Sequence, residues 1–177
     1  MAVPRMKWVE RAFSFDLPLG LYASVVERVR GTPARLEDLF RALPHEILTR
    51  RDGDRWSMQE HAGHLLDLEE LGLGRLDDFE AGLEVLRAAD MSNRKTYEAA
   101  HNSRPAADVL RELRSARERF VRRLDAYDER TAGRSATHPR LQKPMRVIDL
   151  AYFIAEHDDH HLASVSELAR KFGVRGG

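Results

Sequence analysis

The chain has 177 residues, 29 basic and 29 acidic side chains, and no cysteine. That length suits one domain over residues 1–177 with a sizeable core, and the even charge excludes a broad nucleic-acid or polyanionic-membrane footprint. The lack of thiols excludes disulfides, thiolate metal sites and a cysteine nucleophile. No apolar run approaches the roughly 20 residues needed to span a bilayer. The opening segment, MAVPRMKWVERAF, lacks an apolar signal region with a small-residue cleavage site. A soluble cytoplasmic protein is expected.

Residues 1–18 read as an irregular arm that Trp8, Phe13 and Phe15 would pin to the body. From Leu19 to Arg30, Leu21, Tyr22, Val25, Val26 and Val29 fit a helix. Gly31-Thr32-Pro33 interrupts it, with Thr32 suited to an N-cap and Pro33 to a first helical position. Leu36, Leu39, Phe40 and Leu43 then continue, as the second half of one kinked helix or as a second helix. Arg50 to Asp54 is a turn. Ser57 and Glu60 have capping-box spacing, and Trp56 can staple onto His61. The helix they open carries Leu65, Leu68, Gly72, Leu76, Phe79, Leu83 and Leu86 on one stripe, about 30 residues at 3.6 per turn. Gly72, Gly74 and Gly82 would bend or crowd it.

Asp90 to Arg104 has no sustained period and reads as a long, functional surface loop. Pro105 opens the next helix, whose core face is Val109, Leu110, Leu113, Ala116, Phe120, Leu124 and Tyr127. Its arginines, Arg117 among them, alternate with Glu112 and Glu118 and are expected on a solvated face. Glu129 to Pro144 is a second long connection, and a last helix follows, ended by Arg170, Lys171 and Gly173. No strand pattern is evident. The expected fold is all-α, a bundle of four main helices.

The last helix carries the chemistry. Val147, Leu150, Ala151, Ile154, His157, His161, Val165 and Leu168 form one stripe, with two histidines where aliphatic residues belong. Four residues apart is about 40° of rotation, so both rings share a face roughly 6 Å apart at Cβ. Burying two imidazoles side by side is costly without partners. A divalent metal suits them and is favoured over a core pair bonded to carboxylates such as Asp158 or Glu156. His160 is rotated about 60° from His157 and is expected to face a neighbouring helix or support the site.

A third ligand must come from elsewhere. His61 has an ordinary role in the staple with Trp56; His64 has none and lies one turn before Leu68 on the core side, so the pattern favours His64 while leaving His61 open. Asp67 could accept the second N–H of a ligand ring, although it, Glu69 and Glu70 more simply form a solvated face. His138, before Pro139 in a loop, is a candidate fourth ligand or substrate contact, and His101 an ordinary loop residue.

Two blocks give these residues a family. Trp56-Ser57-Met58-Gln59-Glu60-His61-Ala62-Gly63-His64-Leu65-Leu66-Asp67-Leu68-Glu69 and Glu156-His157-Asp158-Asp159-His160-His161-Leu162 resemble the tryptophan plus "GHL-x-D-x-E" and the "H-x-x-x-H" of the DinB-like superfamily. That superfamily includes metal-dependent hydrolases and thiol transferases of the YfiT and bacillithiol-transferase type. His138-Pro139-Arg140-Leu141 is similar to the segment that often precedes the last helix. The resemblance implies a four-helix bundle of up-down-down-up type with long connections, commonly a homodimer. It implies zinc or nickel on His64, His157 and His161, and a small-molecule substrate, with a low-molecular-weight thiol as a possible cosubstrate. The expected function is that of a hydrolase or thiol transferase, with His138 and His160 as candidate assisting groups. The alternatives are a non-enzymatic metal-binding or stress-response bundle with a structural histidine cluster, and a degenerate dimerisation module.

Overall fold

A computed structural model describes residues 4–172, so the expected helix stop at Gly173 lies outside the described residues. The elements in chain order are α1 (Tyr22–Arg30), α2 (Thr32–Phe40), α3 (His45–Leu48), α4 (Met58–Glu80), α5 (Arg94–Glu98), α6 (Ala106–Asp125), α7 (Glu129–Ala132), β1 (Ser135–His138), β2 (Lys143–Arg146) and α8 (Val147–Lys171). Single 3-10 turns sit at Trp8–Glu10, Leu19–Leu21 and His101–Ser103.

Two layers of core give the helix directions. One joins Val25, Val26 and Val29 to Leu76, Phe79, Phe120, Leu124, Leu150 and Ala151. The other joins Leu36 and Phe40 to Met58, Leu65, Val109, Leu113, Val165 and Leu168. The α1–α2 pair and α8 therefore run from the first layer to the second, while α4 and α6 run from the second to the first. This is a four-helix bundle in up-down-down-up order. Helix α4 packs on α6 and α8, and the α1–α2 pair packs on α8 and α6. Because α4 and α6 are parallel neighbours, the chain must return the length of the bundle between them, which is why residues 81–105 form so long a connection. No helix among the described residues is long and apolar enough to cross a membrane.

Several local signals act as read. Ser57 Oγ accepts from the Glu60 N–H at 3.1 Å and the Glu60 carboxylate accepts from the Ser57 N–H at 2.9 Å, a complete capping box at the start of α4. In the arm, Phe13 is buried and Trp8 packs against Phe13 and Phe153. Helices α1 and α2 are separate but nearly continuous across Gly31.

Other expectations need correction. Thr32 is not a cap; it starts α2 after Gly31, and its hydroxyl donates to Asp158 Oδ2 at 2.7 Å. Helix α4 stops at Glu80, because Gly82 turns the chain through φ +69°, and Leu83 and Leu86 lie beyond it. Residues 90–104 carry a short helix and a 3-10 turn. A strand pair also exists: β1 and β2 are antiparallel, pairing Ser135 with Arg146 and His138 with Lys143. The segment 84–86 runs beside β1, with the Leu86 N–H donating to the Thr137 carbonyl at 3.0 Å and the Thr137 N–H to the Glu84 carbonyl at 2.8 Å. Ala136 and His138 are the buried positions of β1, so the hairpin directs the His138 side chain inward.

Candidate metal centre

His64, on α4, and His157 and His161, on α8, each offer a ring nitrogen, and the three nitrogens lie within 4.8 Å of one another. The ring centroids are 4.5 Å apart for His157 and His161, 4.8 Å for His64 and His161, and 5.4 Å for His64 and His157. Two facing helices thus supply what the heptad-like stripe of α8 leaves open. The capping box fixes the register of α4 that turns His64 toward α8.

The hydrogen bonds decide which nitrogen each ring turns inward. His64 Nδ1 lies 3.0 Å from Thr96 Oγ1 on α5, leaving its Nε2 free. His161 Nδ1 lies 2.8 Å from His61 Nδ1, while its Nε2 lies 3.1 Å from His157 Nε2. If His161 keeps its proton on Nδ1 and donates it to His61, the His161 Nε2 lone pair faces the cluster. Two nitrogens on a tetrahedral zinc, each about 2.05 Å from it, sit about 3.3 Å apart. The His157–His161 separation fits such a pair. Burial lowers all four imidazole pKa values: His61 falls to about 3 and His64 to about 4, with His157 and His161 well below the usual 6.5. Desolvation is the largest cause in each, followed by a histidine neighbour for His61, His157 and His161. Neutral rings with lone pairs available are the form a metal takes.

Two tryptophans flank the cluster. Trp56 lies 4.7 Å from the His64 ring and 6.1 Å from His161, and Trp8 of the arm stands edge-on to His157 at 4.9 Å. The histidines open onto a pocket of about 490 Å³ that also reaches Arg75, Phe120, His138 and Phe153. At its wall, Arg117 is buried with two carboxylates. Its Nε donates to Glu69 at 2.8 Å and its NH1 to Asp158 at 2.6 Å and to the Val29 carbonyl at 2.8 Å. Burial raises the Glu69 carboxyl above its usual range.

Sequence and structure part at several residues. His61 makes the expected contact with Trp56, at 5.7 Å, but it also holds a ligand-candidate ring, which its capping position gave no reason to expect. Asp67 does not support His64; it bonds His101 Nε2 at 2.9 Å, and Thr96 takes its place. His101 is not an ordinary loop residue, since it is buried against Gly63. A Cβ at Gly63 would lie 2.2 Å from His101 Cγ, so a helical glycine next to His64 was the legible sign of that approach. Arg117 and Glu69 are not on solvated faces but are buried together with Asp158. Glu70 is exposed and paired with Lys95, as a solvated residue would be. His138 does not join the cluster; its ring packs on Phe153 at 5.3 Å on another wall of the pocket. His160 is half-buried against Trp8 at 5.9 Å and also lines the pocket.

A sequence model of the DinB superfamily matches residues 28–165, a span that contains both histidine blocks, the whole of α2, α4 and α6, and most of α8. The chain belongs to the DinB superfamily. Among solved structures, YfiT from Bacillus subtilis, described as a probable metal-dependent hydrolase with an unusual four-helix bundle topology, matches with a TM-score of 0.74 and 19% identity. The match covers 94% of this chain and 95% of that one, and at this identity it concerns the fold. No curated protein matches the chain. The DinB-superfamily bundle therefore accounts for the helix order, and the site is argued from its own residues.

Proposed function

We propose that this DinB-superfamily protein is a metal-dependent enzyme, a hydrolase or a low-molecular-weight-thiol transferase, with His64, His157 and His161 holding one divalent ion, zinc or nickel. The observation that carries the reading is the convergence of three neutral imidazole nitrogens within 4.8 Å at the wall of a 490 Å³ pocket. When bound, such an ion with an open position lowers the pKa of a water or thiol toward neutrality. The chain's own residues do the rest. His61 and Thr96 orient the rings of His161 and His64. Trp8 and Trp56 keep the site dry on two sides, and the apolar wall at Phe120 and Phe153 receives the substrate body. His160, at the pocket and half-buried, is a candidate proton carrier. The description of YfiT as a probable metal-dependent hydrolase supports this reading by analogy of fold.

A second reading has an observation of its own. The run His61–His161–His157, at 2.8 and 3.1 Å, also makes a satisfied hydrogen-bonded chain without an ion, as a structural cluster would. The two are separated by loading the protein with zinc and, separately, nickel. It is then assayed against small esters and amides, and against small thiols with 1-chloro-2,4-dinitrobenzene. The enzyme reading expects turnover in at least one arm that is lost in a folded His157→Ala variant. No turnover in any arm, or turnover that persists in the variant, favours the structural cluster.

A further inference from the structure

At the opposite end of the pocket from the histidine cluster sits an arginine that no carboxylate of the described residues contacts, the Asp78 charge reaching it only from beyond ion-pair distance. Arg75 on α4 is only 5% exposed, yet among the described residues it has no carboxylate at ion-pair distance. Its one side-chain hydrogen bond among those residues runs from Nε to the Arg87 carbonyl at 3.2 Å. The carboxylate nearest in sequence, Asp78, is taken by Arg87, which donates to it from its backbone N–H at 2.8 Å, from Nε at 3.1 Å and from NH2 at 2.7 Å. Gly74 makes this possible: a Cβ there would lie 2.0 Å from Arg87 NH1. The other acids at the pocket are engaged too, Glu69 and Asp158 by Arg117 and Asp90 by Ser92. The terminal nitrogens of Arg75 are left to the pocket, which the residue lines.

Two further donors share that end. His138 Nδ1 accepts from the Leu141 N–H at 3.2 Å, which puts the neutral ring's proton on Nε2, and the residue lines the pocket. Arg140, on the hairpin turn, lines it as well. An unpaired buried guanidinium is costly to keep, and its planar fork matches a carboxylate. Arg75 is the buried positive charge at that end, Arg140 being exposed to solvent, so one negative charge meets the buried demand.

We infer that the pocket binds an elongated monocarboxylate, with its carboxylate on Arg75, His138 and Arg140, its apolar body along Leu68, Phe120 and Ile154, and its far end at the histidine cluster. Arg75 follows His64 by eleven residues (75 minus 64), or about 16 Å of helix. Its side chain leans back toward the N-terminus, so the two ends stand on the order of 10 Å apart. This assigns the substrate class of the proposed function and rests on that reading for the pocket's purpose, but the anion site itself can be tested apart from any metal.

The test compares octanoate with octanamide, a neutral molecule of the same length, by the fluorescence of Trp8 and Trp56, the two tryptophans of the chain. Each titration is run in chelator and again with one equivalent of zinc. The expected result is octanoate binding about 30-fold tighter than octanamide in both conditions. Arg75→Gln should bring that ratio close to one, and Arg140→Ala should reduce it in part. If Arg75→Gln does not fold by circular dichroism, Arg75→Lys, which keeps the charge and loses the fork, should still lower the ratio several-fold. Equal binding of acid and amide, binding of neither, or a ratio unmoved by the Arg75 variant overturns the inference. So does octanoate binding that requires zinc, which would make the carboxylate a metal ligand. A ratio that holds in chelator while zinc fails to bind leaves the anion site standing and removes the metal reading instead.

Discussion

Both ring nitrogens of His161 are occupied by other histidines, Nδ1 by His61 and Nε2 by His157. The first of these contacts ties the proton positions of His161 and His61 together. For His161 to offer Nε2 to an ion, its proton must sit on Nδ1, and His61 must then accept at Nδ1 and carry its own proton on Nε2. His61 is thus a positioning residue, and partners of this kind are worth about 10–100-fold in metal affinity. We expect His61→Phe, which keeps the packing on Trp56, to weaken zinc binding by about that factor in a competition titration while one ion per chain still binds at saturation. Unchanged affinity would show that His161 is oriented by packing alone. At this scale the sequence was legible where periodicity governed: the four-residue spacing of His157 and His161 and the capping box that turns His64 inward. It said little where partners came from distant loops. Thr96 and His101 reach α4 from the connection after it, and Gly63, which leaves room for the His101 ring, marks only the second of these approaches.

Among the elements, α6 is tied to its neighbours by a buried charge cluster. Arg117 of α6 holds Glu69 of α4 and Asp158 of α8, and Asp158 also accepts from Thr32 at the start of α2. With the Val29 carbonyl of α1 also accepting from Arg117, α1, α4 and α8 meet the guanidinium of α6 directly, and α2 joins through Asp158. Removing the guanidinium leaves two buried carboxylates facing each other, a loss of about 3–5 kcal/mol in comparable pairs. We expect Arg117→Met to lower stability by about that amount in urea unfolding, and Glu69→Gln in the same chain to restore part of it. An Arg117→Met cost below about 1 kcal/mol would mean that the cluster contributes little. Alternation of charges along α6 hid Arg117, because a lone buried arginine has the same sequence signature as an exposed one. The hairpin was hidden for a different reason. Its strands, Ser135–His138 and Lys143–Arg146, have one buried pair, Ala136 with Met145, and no run of alternating apolar residues. The helix face of α4 was legible but its end was not, since the hydrophobic stripe continues in Leu83 and Leu86 after Gly82 has turned the chain.

For the whole molecule, the up-down-down-up order follows from two core layers that the four apolar stripes already contain, and the long crossover after α4 follows from two parallel neighbours. The same crossover and the hairpin close the pocket, so the parts least regular in sequence carry His138 and Arg140 to it. Acid should weaken the assembled fold through these histidines. Burial, then Arg75 and Arg140, lower the His138 pKa to about 4, whereas in the unfolded chain it is about 6.5. Between those values the unfolded chain binds a proton that the folded one refuses, so stability falls as pH drops through that window. In chelator, the melting temperature of the wild type should fall between pH 6.5 and 4.5, and His138→Gln should show a shallower fall. Parallel curves would mean that His138 titrates normally in the fold.

The central claim is that His64, His157 and His161 hold one divalent ion. Its most direct test is the metal content, by elemental analysis, of protein purified without a histidine tag, for the wild type and for His161→Ala. The account predicts about one zinc or nickel per wild-type chain, as isolated or after reconstitution, and none in a folded His161→Ala variant. Wild-type protein that takes up no ion after reconstitution, or a variant that retains it, would contradict the account and leave the histidines as a hydrogen-bonded core.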